Sequence, residues 1–143
     1  MIKSEVTNTT NYTPCHIDGH QTPLRVLYLD DDDIDRTLMQ MHIKRHLKRG
    51  VELVCVDTLC SAKAALSSDR FDYFVTDNRM PPIDHYRETL DQLDLASFEG
   101  RIIVVSSETH FECFDSHRDE RVHTVIDKAD LSQAIKNGLF QPL

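Results

Sequence analysis

The chain reads as an α/β protein, a doubly wound sheet of five parallel strands alternating with five helices. Three observations predict this. Short apolar runs recur along the sequence, each closed by a polar or acidic turn signal, as strands buried on both faces do. Between them lie stretches whose apolar residues repeat at helical spacing. The links are short, and right-handed crossovers between such units give a parallel sheet with helices on both faces.

Residues Met1 to about Thr22 are rich in Thr, Asn and Ser and lack hydrophobic periodicity, so 1–22 is expected to be a mobile extension and 23–143 one domain. Pro23 precedes the first strand, Leu24 to Leu29, which stops at Asp30-Asp31-Asp32-Asp33. A helix is predicted from Asp33 to about Arg49. Ile34, Leu38 and Met41 form one row and Met39, Ile43 and Leu47 another, together a broad apolar face, with Gly50 as terminator. Val51 to Val56 is the second strand. Asp57 or Thr58 caps a short helix with Leu59, Ala62, Ala65 and Leu66 inward.

Phe71 to Thr76 is the third strand, ending at Asp77. The segment Asn78-Arg79-Met80-Pro81-Pro82 must be loop, because proline lacks the N–H a central strand needs. A helix from about His85 to Leu95 follows, and Gly100 resets the chain. Arg101 to Val105 is the fourth strand, closing on Ser106-Ser107, and a less apolar helix runs from roughly Thr109 to Asp119. Val122 to Ile126 is the fifth strand, ending at Asp127-Lys128. The last helix starts at Asp130, with Gln133 spaced for a capping box and Leu131, Ala134, Ile135 and Leu139 inward.

A length of 143 residues suits one domain with a real core, and 40% hydrophobic and 28% charged residues are ordinary for a globular protein. The net charge of -8 argues against general nucleic-acid binding, which needs clustered cations. The run Lys44-Arg45-His46-Leu47-Lys48-Arg49 reads as a solvated helix end with cations where the dipole favours them. Four cysteines, Cys15, Cys55, Cys60 and Cys113, show neither disulfide framework nor metal spacing, which fits a reducing cytoplasm. No apolar stretch approaches the roughly 18 residues of a membrane span, and no membrane partner is expected. His42 and His46 have zinc-compatible spacing without further ligands nearby in sequence, and Cys15, His16 and His20 lie in the extension; neither set is read as a metal site.

In a parallel sheet the carboxyl ends of the strands lie on one edge, where open α/β sheets bind ligands. Asp30 and Asp31 stand after the first strand, Asp77 after the third, Ser106 after the fourth and Lys128 after the fifth. Closely packed acids repel, and a bound divalent cation relieves that repulsion; the acidic run after the first strand also suits a helix start. Three acids suit a hard cation such as magnesium, a lysine neutralises incoming phosphoryl charge, and a hydroxyl donates to a phosphoryl oxygen. Such equipment fits phosphoryl transfer, with Asp77 as the natural acceptor. Asp32 and Asp33 read as helix-start charges.

Four segments carry a resemblance. They are Val26-Leu27-Tyr28-Leu29-Asp30-Asp31-Asp32-Asp33, Phe71-Asp72-Tyr73-Phe74-Val75-Thr76-Asp77-Asn78-Arg79-Met80-Pro81, Ile102-Ile103-Val104-Val105-Ser106-Ser107 and Val125-Ile126-Asp127-Lys128. Together they make residues about 24 to 140 resemble the receiver domain of two-component response regulators. The resemblance implies a flavodoxin-like strand order of 2-1-3-4-5. It implies that Asp77 accepts a phosphoryl group from a phosphohistidine on a sensor histidine kinase or phosphotransfer protein. Asp31, Asp77 and the backbone carbonyl of Arg79 would bind Mg2+ directly, and Asp30 through a water. Ser106, in place of the commoner threonine, would bond the phosphoryl oxygen, and Lys128 would pair with it. Movement of Ser106 would then reshape the surface for a downstream protein, a two-state switch biased by charge.

The sequence also departs from that family. Ala129 replaces the proline that usually follows the lysine, so a trans peptide and a shifted loop are expected. Val125 takes the place of an aromatic switch residue and carries neither ring nor hydroxyl; His123 is not assumed to substitute for it. Pro82 replaces a common glycine, and Arg79 is spaced to lean over the phosphoryl group or stay exposed. The leading expectation is a stand-alone, non-enzymatic phosphoacceptor domain. The alternatives are a phosphorylation-independent interaction module and a magnesium-dependent phosphatase using the Asp30-x-Asp32 pattern.

Overall fold

The structure, a computed structural model, describes residues 22–48, 50–107 and 118–141. The elements run β1 (Leu24–Leu29), α1 (Asp33–His46), β2 (Val51–Val56), α2 (Leu59–Ser68), β3 (Tyr73–Asp77), α3 (Tyr86–Leu93), β4 (Arg101–Ser106), β5 (Val122–Asp127), a 3-10 turn (Lys128–Asp130) and α4 (Leu131–Lys136). The strands form one sheet in the order β2-β1-β3-β4-β5, and every neighbouring pair is parallel. This is the predicted doubly wound architecture, with four α-helices among the described residues. The extension and nearly all of the helix expected over Thr109 to Asp119 lie outside the described residues, as do Cys15, Cys113, His16 and His20. No helix among the described residues is long and apolar enough to cross a membrane.

Strand side chains alternate between two cores because successive Cβ atoms point to opposite faces. Leu27, Leu29, Val54, Val56, Phe74 and Val104 pack with Ala62, Ala65, Tyr86, Leu90 and Leu93 of α2 and α3. Val26, Tyr28, Leu53, Cys55, Tyr73, Val75, Ile103 and Val105 pack with Met39, Ile43, Leu131 and Ile135 of α1 and α4. With both faces covered, all five parallel strands hold their carboxyl ends at one rim.

Four local expectations need correction. The apolar face of α1 is narrower than its sequence pattern: Met39 and Ile43 are buried and Leu47 packs at their edge, while Ile34 (66%), Leu38 (40%) and Met41 (53%) are exposed. A helix on a sheet buries one stripe, and Leu38 and Met41 lie roughly 100° and 200° around the helix from Met39. Gly50 does not end α1; Leu47 does, its N–H bonding the Ile43 carbonyl, and Gly50 accepts from the Leu24 N–H at 3.1 Å. The capping box at Asp130 does not form. The chain reaches α4 already curled in the 3-10 turn, Asp130 is not extended (φ -101, ψ 2), and its side chain makes no cap bond. Asp127 caps the turn instead, accepting from Ala129 N at 2.9 Å, and Gln133 reaches Asn137 at 3.3 Å.

The fourth correction concerns β3, which begins at Tyr73 rather than Phe71 and runs through Asp77. Thr58 caps α2 and His85 caps α3, while Asp94 ends α3 in the left-handed region that aspartate tolerates (φ 55). The cis peptide among the described residues is Pro81–Pro82, so Lys128–Ala129 is trans, as expected.

Gly100 is required by a close approach. Arg101 N donates to the Asp72 carbonyl at 2.9 Å, so a Cβ on Gly100 would press into that same carbonyl. Backbone cannot rotate away as a side chain can. A Gly100→Ala variant is expected to lose about 1–3 kcal/mol of stability in urea unfolding, with no change in m-value.

Candidate functional site

The parallel ladders set the rim. Asp77 is the last residue of β3 and pairs with Val105, and Ser106, the last of β4, pairs with Asp127. Asp30 follows β1 directly, its N–H bonded to the Val56 carbonyl at 3.1 Å. The structure brings four of the predicted residues together. Carboxylate oxygens of Asp30, Asp31 and Asp77 lie within 4.8 Å of one another, the one such potential metal cluster among the described residues. Lys128, from the 3-10 turn, reaches Asp30 Oδ2 at 3.1 Å and Asp77 Oδ1 at 3.3 Å. Ser106 is buried at the adjoining strand end, and Arg79 is exposed two residues past Asp77.

Asp30 has no exposed surface. Its carboxylate takes donors on both oxygens, Asp32 N to Oδ1 at 3.0 Å and the Tyr28 hydroxyl to Oδ2 at 2.6 Å. The Arg36 guanidinium bonds its carbonyl at 2.8 Å. A buried charge is tolerated when it is paired and hydrogen-bonded in this way. Asp32 is the N-cap of α1, accepting from Ile34 N and Asp35 N, so it serves the helix start as expected.

Burial, followed by the charge of Asp30, pushes the Asp77 carboxyl up to about 6, against the pull of Lys128. Burial also opposes the charge on Lys128, but its bond to Asp35 and the charges of Asp77 and Asp30 raise its pKa above the ordinary lysine range. Tyr28 is pushed far above its usual range by burial and then by Asp30, so it remains a hydroxyl donor.

Two participants were missed from the sequence. Asp35, in the first turn of α1, makes the shortest contact to Lys128, at 2.6 Å. Its signal was its place one turn into a helix capped beside the rim. Tyr28 was read only as strand; standing two residues before Asp30, on the same side of the chain, was the available clue. The histidine pair stays apart from the site: His46 Nε2 meets Ser132 Oγ at 2.9 Å, joining α1 to α4. A cavity of about 240 Å³, lined by Leu66, Phe71, Leu95 and Phe98 among others, includes none of the acidic rim in its lining.

No family profile matches the chain, and no curated protein matches it in sequence. Solved structures do match in shape. The response regulator RcsB of Salmonella typhimurium superposes with a TM-score of 0.68 at 17% identity, over 85% of this chain and 64% of that one. The chain therefore spans just under two thirds of RcsB. A CheY-like receiver domain from Methylobacillus flagellatus gives 0.60 at 13% identity, over 81% of this chain and 98% of that one. A response regulator from Burkholderia pseudomallei, solved with a phosphorylated aspartic acid, calcium and citrate, gives 0.66 at 13%, over 82% and 66%. The fold is that of a response-regulator receiver domain.

The raised Asp77 carboxyl has a defined sign. Free aspartate ionises near 3.8 and Asp77 near 6, so the folded state carries a penalty that grows between those values and persists above them. Without metal, Asp77→Asn is expected to raise the melting temperature at neutral pH, with the gain shrinking as pH falls through 6 towards 4. If the acidic cluster takes a divalent cation, added cation is expected to raise the melting temperature of wild type more than that of the variant. Thermal melts at several pH values, with and without chelator, check both.

Proposed function

We propose that residues 23–143 form a receiver domain that accepts a phosphoryl group on Asp77 from the phosphohistidine of a sensor kinase or phosphotransfer protein. The observation that carries this reading is one lysine ammonium bridging the acceptor aspartate and the buried aspartate after the adjoining strand, two of the three carboxylates that cluster at the rim. An Asp77 oxygen attacks phosphorus, the P–N bond to the donor imidazole breaks, and its electron pair stays on the departing nitrogen; the ring leaves as neutral imidazole, already protonated on its other nitrogen or taking a proton from water on the departing one. The product is an acyl phosphate. Lys128 neutralises charge on the phosphoryl oxygens, and the Ser106 hydroxyl donates to one of them.

The donor set fits a hard divalent cation, since all its side chains are carboxylates. Asp31, Asp77 and the Arg79 carbonyl would hold Mg2+ directly and Asp30 through a water; the ion would offset phosphoryl charge. The phosphorylated aspartic acid and calcium of the Burkholderia regulator support this use of the fold. The domain acts on its own phosphoryl group and signals by protein contact.

A phosphatase reading is disfavoured, because Asp30 is buried with both oxygens engaged and Asp32 is spent as a helix cap. The interaction-module reading is favoured by Val125, which sits against the core without ring or hydroxyl. It expects a partner that binds wild type and Asp77→Asn alike, with or without phosphodonor.

Incubation with phosphoramidate and magnesium is expected to add one phosphoryl group by intact-mass spectrometry. Asp77→Asn should add none, and Lys128→Met should lower the rate by roughly tenfold or more, as loss of a charge-stabilising group does. No incorporation into wild type at saturating donor rejects the proposal.

A further inference from the structure

Lys128 is shared unequally. Its ammonium has three protons and three carboxylates within reach: Asp35 at 2.6 Å, Asp30 at 3.1 Å and Asp77 at 3.3 Å. The tightest contact is to an aspartate outside the cluster of potential metal ligands, and the loosest is to the acceptor. Asp35 is held in place from its own helix, since its N–H bonds the Asp32 side chain at 3.1 Å. With its backbone fixed in the helix, its carboxylate can follow a moving ammonium only by side-chain rotation.

The three partners also differ in what release would cost them. Side-chain exposure is 0% for Asp30, 13% for Asp77 and 28% for Asp35. A buried carboxylate stripped of its partner suffers the full desolvation penalty, whereas one that reaches water recovers hydrogen bonds there. Asp30 also keeps the Tyr28 hydroxyl and Asp32 N–H whether or not Lys128 is present. Asp35 is therefore the partner that gives up Lys128 most readily.

We propose that Asp35 is a positioning residue, a latch that holds Lys128 back from Asp77 and must release it when the aspartate is phosphorylated. This rests on the phosphoacceptor reading above. An acyl phosphate brings about two negative charges and three acceptor oxygens to the place where Asp77 offers one charge now. Lys128 follows that charge, and the Asp35 contact is what it gives up. The latch sets how much phosphodonor is needed to occupy the site, and it ties the start of α1 to the state of Asp77.

The test uses Asp35→Asn, Asp35→Glu, Asp33→Asn and wild type, each titrated with phosphoramidate in magnesium, with the phosphorylated fraction read by intact mass. Asp33 loses the same charge from the same helix turn but is not among the carboxylates that hold Lys128. Asp35→Asn is expected to reach half occupancy at roughly two- to fivefold lower donor concentration, the range for a partly exposed ion pair. Asp35→Glu should return towards wild type, and Asp33→Asn should match it. Independently, urea unfolding of Asp35→Asn, Lys128→Met and the double variant, without metal or donor, should show coupling between the two residues.

An unchanged titration for Asp35→Asn, an equal shift for Asp33→Asn, or zero coupling in the cycle overturns the latch. If wild type is phosphorylated and any of these occurs, the latch falls and the receiver function stands. If wild type takes up no phosphoryl group, both fall together.

Discussion

The Lys128 ammonium, set among the carboxylates of Asp30, Asp35 and Asp77, is the contact on which the rim depends. It joins the turn after β5 to the ends of β1 and β3 and to the first turn of α1. Three acids contact that ammonium and Asp31 lies beside two of them, and burial followed by the charge of Asp30 raises the Asp77 carboxyl to about 6. A site built this way favours any event that brings positive charge or disperses negative charge. Metal binding does the first, and transfer of a phosphoryl group calls on the lysine for the second.

The sheet bears the cost of keeping that repulsion in place. Each strand feeds alternate side chains into two separate cores, so no strand can slip by one residue without exchanging its buried sets. Asp30 and Asp77 are thereby held at a distance their charges alone would not choose. Away from the sheet, Tyr86 ties α3 to the start of β5. Its N–H donates to Asn78 Oδ1 at 3.2 Å, and its hydroxyl accepts from Asp119 N at 3.0 Å. Arg121 clamps the same corner by bonding Asp119 and Asp91, and its bond to Asp119 is the main reason that carboxyl sits near 2. A short polar route thus runs from the residue after Asp77 to the entry of β5.

Against the receiver fold it shares with solved response regulators, the chain has substituted at particular points. Val125 is partly buried against the core shared with Tyr86 and Leu90. Ala129 sits in a 3-10 turn whose cap is the Asp127 side chain, so the lysine is presented by a hydrogen-bonded turn without the usual proline. Tyr28 places a hydroxyl against the buried Asp30 and donates to its carboxylate at 2.6 Å.

The apolar runs, the acids that end them and the alternation of periods determined the fold class, the strand ladder from Leu24 to Asp127 and the convergence of Asp30, Asp31, Asp77 and Lys128. These are consequences of local pattern: a short apolar run bounded by turn signals suits a strand buried on both faces, and the one hand of the crossovers sets the strands parallel. The tertiary structure alone decided which face of α1 is covered, how Lys128 divides itself and what supports Asp30. Exposure of Ile34, Leu38 and Met41 follows from how widely a sheet can cover a helix, and the capping-box pattern at Asp130 yielded to a turn made upstream. The pairing of Asp35 with Lys128 spans 93 positions, and a charge reaching that far in sequence is set by where packing leaves the two side chains. No spacing rule written along the chain carries that information.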